Sequence, residues 1–243
     1  MTARPNPLGQ PVGPDLDGWR SPPRIPRTPI EGRLCRLVPL DPDAHADDLF
    51  DAHAADTDGR GWTYLAYGPF ATREALRAWI AGVAAGEDPL FLAVIDGATG
   101  RAVGQASFLR IDPAAGSVEV GHIRFSPALQ RTALATEAMH LMMARAFGLG
   151  YRRYEWKCDA LNAPSRTAAR RLGFSFEGLF RQATVYRGRN RDTAWFSILD
   201  REWPAIDAGF RAWLDPANFD ADGRQRTRLN DHVPPGGEVV REV

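Results

Sequence analysis

Residues 125–138 read Phe-Ser-Pro-Ala-Leu-Gln-Arg-Thr-Ala-Leu-Ala-Thr-Glu-Ala. A β-like run ends at Phe125, Ser126-Pro127 turns the chain, and a helical period runs from about Thr132 to Phe147. Leu134, Ala138 and Leu141 share one face of that helix, and Met139, Met142, Met143 and Ala146 fill the adjoining one. So broad an apolar surface predicts a helix packed on more than one side. Its first N–H groups have no partner within the helix and carry the positive end of its dipole, so the junction is a ready anion site.

Upstream, Ser117–Phe125 reads as a strand broken in phase. Val118 and Val120 share one face, Ile123 and Phe125 the other, and a bulge near Gly121 accounts for the switch. Gly97 and Gly100 between Phe91–Asp96 and Ala102–Arg110 mark a hairpin. Thr72 caps a helix running to Gly86, with Leu76, Trp79, Ile80 and Val83 on one face. Asp43–Ala54 is an acidic helix preceded by a strand, Arg33–Leu40. Downstream, Arg153–Asp159 alternates Tyr154, Trp156 and Cys158 with charged residues, the pattern of a half-buried strand. A short helix, Ala163–Arg171, opens at Asn162 and stops at Gly173. A last hairpin pairs Phe180–Tyr186 with Thr193–Leu199. Helices among hairpin-rich strands predict an α+β domain around one sheet. Residues 1–29 hold eight of the nineteen prolines and read as an extended N-terminal arm. The folded body is expected over 30–214, followed by a polar tail over 215–243 that includes Pro234-Pro235-Gly236-Gly237.

Composition narrows the function classes. Lys+Arg and Asp+Glu are both 30 in 243 residues, so no global basic field calls for nucleic acid. The longest apolar run, Leu90–Ile95, is too short to cross a bilayer, and the N-terminal residues lack the apolar core of a signal peptide. A cytoplasmic protein is expected. Two cysteines, Cys35 and Cys158, cannot build a disulfide framework or a four-cysteine zinc site. The single lysine, Lys157, does not follow a glycine, which excludes a Gly-Lys-Ser/Thr phosphate loop. There is no Gly-x-Ser-x-Gly elbow, and the five histidines lack metal-ligand spacing, so no metal is expected.

The 125–138 stretch resembles the pyrophosphate loop of the GNAT acetyltransferases, in particular the RimJ/RimL-like branch that modifies protein N-termini and small amines. That loop reads Gln/Arg-x-x-Gly-x-Gly/Ala, and here Gln130, Ala133 and Ala135 stand in its slots, with Thr136-Glu137-Ala138 behind. Ala133 departs from the family's glycine. Asn162-Ala-Pro-Ser165, ending in Leu172-Gly173-Phe174, matches the family's Asn-x-x-Ser/Ala … Gly-Phe segment beside the pantetheine arm. Arg191–Asp200 also looks like the branch's final strand. The resemblance spans about 33–204. It implies a GNAT fold, a central mixed, mostly antiparallel sheet with helices on both faces. It also implies acetyl-CoA as cosubstrate and an amine acceptor, with direct transfer in a ternary complex. Cofactor contacts are expected from Gln130, Arg131, Thr132, Ala133, Leu134, Ala135, Thr136, Asn162, Ser165 and Arg166. The family's tyrosine acid is replaced by Ala169, which moves proton donation to the leaving thiolate onto Ser165. Glu119 stands where many members carry a general base, with His122 as runner-up; the other reading of Glu119 is an exposed strand glutamate paired with an arginine. Trp62, Tyr64 and Tyr67 are the expected acceptor wall, or else core packing. Between Arg145 and Arg191 lie eleven Lys/Arg and three Asp/Glu, so Arg166, Arg170 and Arg171 could approach phosphates. Asp41–Asp58, with seven aspartates and no Lys or Arg, could attract a cationic amine. The rival from another class is a GNAT-fold module that binds acyl-CoA without transfer. Nucleic acid and membranes are not expected partners, and a homodimer is left open.

Overall fold

In the computed structural model, which describes residues 4–234 and 236, eight strands form one sheet. A separate ribbon pairs β1 (Arg4–Pro5) with β2 (Pro11–Val12). The sheet runs from β3 (Ile30–Glu31) and β4 (Cys35–Pro39) through β5 (Leu90–Asp96), β6 (Ala102–Asp112) and β7 (Ser117–Phe125) to β8 (Arg153–Asp159). It ends with β10 (Arg189–Leu199) next to β8 and β9 (Ser175–Tyr186) at the edge. Every pairing is antiparallel except β7–β8. A parallel pair needs a crossover, and α3 (Ala133–Gly148) supplies it.

Helices cover both faces. α3, α4 (Ala163–Arg171) and α5 (Trp203–Leu214) close the main core over Leu37, Leu92, Val94, Val118, Val120, Tyr154, Trp156 and Phe196. α1 (Pro42–Ala54) and α2 (Arg73–Ala84) cover the other face of β4–β6, where Leu49, Leu76 and Ile80 meet Phe91, Ala93 and Ile95. The expected caps form at Thr72, whose Oγ1 accepts from Ala75 N, and at Asn162, and the structure adds one at Thr132.

Three features go beyond the sequence reading. The sequence reading gives no element after β10, yet α5 buries Ile206, Phe210 and Trp213 at helical spacing. In the polar stretch after α5, Leu229 and Val233 are buried in the main core. In the proline-rich arm, Ile25 is buried and Pro23 O accepts from the Tyr151 hydroxyl (3.1 Å). Pro235 and Gly237 of the Pro-Pro-Gly-Gly end lie outside the described residues.

Glu137 ties the crossover helix to the first strands. Its carboxylate accepts backbone N–H groups of Arg33 (3.1 Å), Leu34 (2.6 Å) and Cys35 (2.9 Å). Its charge therefore serves the β3–β4 connection, and the first turn of α3 carries no acidic side chain.

Candidate active site

The ladder between β7 and β8 lasts only from Ser117–Arg153 to Val120–Trp156. Beyond it the strands separate. The bulge expected near Gly121 lies here: Gln105 faces Arg124 and Ser107 faces Gly121, so His122 and Ile123 together oppose Ala106 alone. His122 adopts φ 51°. The main chain of β7 past Val120 therefore has no strand partner on the β8 side. A cleft of about 2010 Å³ runs from the loop after α1, through this gap, to Arg171 and the segment after α5. Small-ligand sites hold roughly 300–1,000 Å³. This one has room for an extended molecule and a second reactant.

On one side the cleft meets the N-terminus of α3. Thr132 Oγ1 accepts from Ala135 N (3.0 Å) and donates to Leu129 O (2.7 Å), and Gln130 Nε2 donates to Phe125 O (3.0 Å). Arg131 makes the turn at φ 63°. Gln130, Arg131, Thr132, Ala133, Ala135 and Thr136 all line the cleft. Leu134 does not, because its side chain packs against the core.

The start of α4 forms the next wall. Asn162 Oδ1 accepts from Ser165 N (3.1 Å), and Ser165 Oγ accepts from Trp156 Nε1 (3.0 Å). The same hydroxyl hydrogen-bonds Cys158, whose thiol pKa is pushed up by burial. All four residues reach the cleft. Arg166 does not: it donates to Ala160 O (3.2 Å) and lies over Phe176. Arg171, one turn further along α4, does. Both its Nη atoms donate to Thr136 Oγ1 (3.2 and 3.3 Å), its guanidinium lies over Trp213, and burial lowers its pKa.

On the other side, Glu119 is 3% exposed. Its Oε2 lies 2.7 Å from Arg110 Nε and 3.0 Å from Lys157 Nζ. Lys157 also reaches Glu155 (2.7 Å) and sits 3.7 Å from the Trp195 ring centroid. Glu155 is held by Arg153 (2.6 Å), which continues to Glu177. β8 is thus buried on both faces rather than half-buried, because ion pairs cover the face that the helices leave open. Lys157 was missed as a site residue. Its signal was compositional: it is the one lysine among 30 cationic side chains, and its compact ammonium bridges two carboxylates.

His122 packs against Tyr67 and Phe91, and burial, with the Arg110 charge, lowers its pKa to about 4. It is neutral at pH 7 and a far weaker base than an ordinary imidazole. Of the aromatic trio, only Tyr64 lines the cleft, its hydroxyl donating to Leu161 O (3.1 Å). Trp62 is packed among His53, Phe70 and the Arg124 guanidinium, and Tyr67 stacks on Trp79. Both rings turn inward to the layer under α2. Arg124 lines the cleft and forms a buried ion pair with Asp56 (2.7 Å).

The family model for the acetyltransferase (GNAT) domain matches residues 35–175. The chain is a member of the GNAT acetyltransferase family. A GCN5-related N-acetyltransferase from Brucella melitensis shares 47% identity at a TM-score of 0.87, over 89% of this chain and 99% of that one. A probable GNAT-family acetyltransferase from Chromobacterium violaceum shares 46% at 0.75, over 82% and 100%. The microcin C7 self-immunity acetyltransferase MccE, solved with acetyl-CoA and AMP, shares the fold at 20% identity and 0.60, over 69% and 93%. No curated protein matches. The GNAT assignment makes the chain an acyltransferase, and its family implies acetyl-CoA as donor. Among the described residues, no group of three or more His, Cys, Asp or Glu could hold a metal ion, and no helix is long and apolar enough to cross a membrane.

Proposed function

We propose that this GNAT chain transfers acetyl from acetyl-CoA directly to a primary amine, a protein N-terminus or a small amine, in a ternary complex. One observation carries the reading: a hydroxyl able to donate, Ser165, and a buried carboxylate, Glu119, open into the same cleft around the β7–β8 gap. Acyl transfer needs an amine stripped of its proton, a polarised thioester oxygen and a protonated leaving thiolate. Glu119 takes the amine proton, directly or through one water, while Arg110 and Lys157 hold its Oε2 in place. Backbone N–H groups of β7 beyond Val120 polarise the carbonyl. Ser165, positioned by Asn162 and Trp156, gives its proton to the thiolate. The N-terminus of α3 receives the diphosphate. Acetyl-CoA and the amine are the partners, and no metal takes part.

Thiol release from acetyl-CoA across a panel of amines tests the reaction. Release with no amine on the panel would leave the binding module as the better account. On the best amine, Glu119→Gln is expected to slow transfer by about 10-fold or more at neutral pH, the lower part of the range for a positioned base. The deficit shrinks at high pH, where the amine loses its proton unaided. A deficit equal at every pH would assign Glu119 an orienting role instead.

A further inference from the structure

The far end of the cleft is walled by residues that lie past the matched family region. Trp213 closes α5, and Phe219, Gly223, Arg224 and Gln225 come from the loop that follows. That loop is firmly built. Phe219 and Gln225 form an antiparallel bridge, and Asp220 Oδ1 accepts from Asp222 N (3.0 Å) and Arg224 N (2.8 Å). Buried Asn218 donates to Trp213 O (2.9 Å) and accepts from Thr227 N (3.0 Å) and Thr227 Oγ1 (2.6 Å). Trp213 Nε1 donates to Thr227 O (3.0 Å), and Leu229 and Val233 anchor the segment in the core.

Arg171 faces this wall. Among the described residues no carboxylate lies within 4 Å of it; its polar partner is the neutral Thr136 hydroxyl, one turn from the electropositive end of α3. A partly desolvated cation without a counter-ion is costly, so the site suits an anionic ligand. Arg224 adds a second cation, paired among the described residues with exposed Asp222 (3.3 Å), and Phe219 adds a ring edge-to-face with Trp213 (5.3 Å). With the diphosphate at the N-terminus of α3, the next group along an acyl-CoA is its adenosine 3′-phosphate.

We infer that the segment Trp213–Gln225, together with Arg171, is a clamp for the nucleotide end of the acyl-CoA, rather than a tail. Arg171 and Arg224 meet the 3′-phosphate, and Phe219 packs on the base. The inference rests on the acyl-CoA reading above. Calorimetric titration of the full chain with CoA, dephospho-CoA and adenosine 3′,5′-bisphosphate tests it. Wild type is expected to bind CoA about 10-fold more tightly than dephospho-CoA, the scale of one charge-assisted contact, and to bind the bisphosphate alone. Arg171→Met and Arg224→Ala should each narrow the CoA preference, with affinity for dephospho-CoA nearly unchanged. Arg224 is exposed, so its substitution leaves the fold intact. Equal affinity of wild type for CoA and dephospho-CoA, or equal weakening of both by the two variants, would overturn the clamp. Because no amine is present, the clamp can fail while acetyl transfer persists. Conversely, transfer can fail on every amine while the CoA preference stands.

Discussion

The two ends of the cleft treat charge in opposite ways. Around Glu119, cations and carboxylates alternate: Arg110, Glu119, Lys157, Glu155, Arg153, Glu177, with Arg124 and Asp56 paired nearby. Around Arg171 and the first turn of α3 no carboxylate among the described residues answers the positive charge. Both ends bury polar groups, so the difference is not one of burial. A balanced network fixes side chains in place at a cost that mutual attraction roughly offsets, whereas an unbalanced cation keeps its attraction for a ligand. On the proposed reading, positioning and recognition fall to different ends of one cavity.

That contrast can be broken most sharply between the two ends. Ser165→Ala removes the hydroxyl held by Trp156, and kcat is expected to fall by about 10²–10⁴ with acetyl-CoA affinity nearly intact. Unchanged kcat with a raised KM would move Ser165 to the binding end. At the balanced end, Lys157→Met leaves Glu119 facing its register partner Glu155 without the bridging ammonium. Breaking a buried pair this way costs about 3–5 kcal/mol, read from urea unfolding, and Lys157→Met/Glu155→Gln should recover part of it. No loss in the single variant would mean that water, not Lys157, screens the two carboxylates.

Acid tests the same end more gently. Burial, with Arg124 for His53 and Arg110 for His122, lowers the two pKa values to about 3 and about 4 from an ordinary 6.5. The unfolded chain therefore takes up protons first as pH falls below 6.5. The stability from neutral burial is complete above that pH and is lost on the way down towards 3–4. At pH 5 each histidine should cost about 2 kcal/mol relative to pH 7. Urea midpoints at the two pH values check this, and His53→Leu should reduce the difference; identical midpoints would contradict both shifts. The smallest effect is expected at the anion end. Thr132→Ala removes the cap on Ala135 N and should lower stability by about 1 kcal/mol in thermal denaturation.

Much of the fold was legible in the sequence because local chemistry decided it. Caps at Thr72 and Asn162, the hairpin at Gly97–Gly100 and the phase break at Gly121 each follow from a few adjacent residues. α5 had a readable signal in the spacing of Ile206, Phe210 and Trp213. The burial of Leu229 and Val233 had none, because isolated apolar residues in a polar stretch become core only when the chain returns to them. The lining of the cleft was legible where a motif carried it, at 130–133, 135–136 and 162–165. Elsewhere it depended on facing. That Tyr64 rather than Trp62 or Tyr67 reaches the cleft follows from how a loop turns, which residue types do not encode. The burial of Lys157 depends on Trp195, Arg110 and Glu155 meeting across three strands.

Glu137 has a further consequence for the order in which the chain can assemble. Its three backbone donors lie 102 to 104 residues earlier, so the turn into β4 cannot be locked until α3 has been synthesised as far as Glu137 and placed. Closing so long a span precedes any reward from the contact, which makes this docking a late event. A nascent chain that stops before residue 137 exposes those donors to water and leaves the edge of its sheet unsecured. The carboxylate thus makes the closure of the first part of the sheet depend on the presence of the crossover helix.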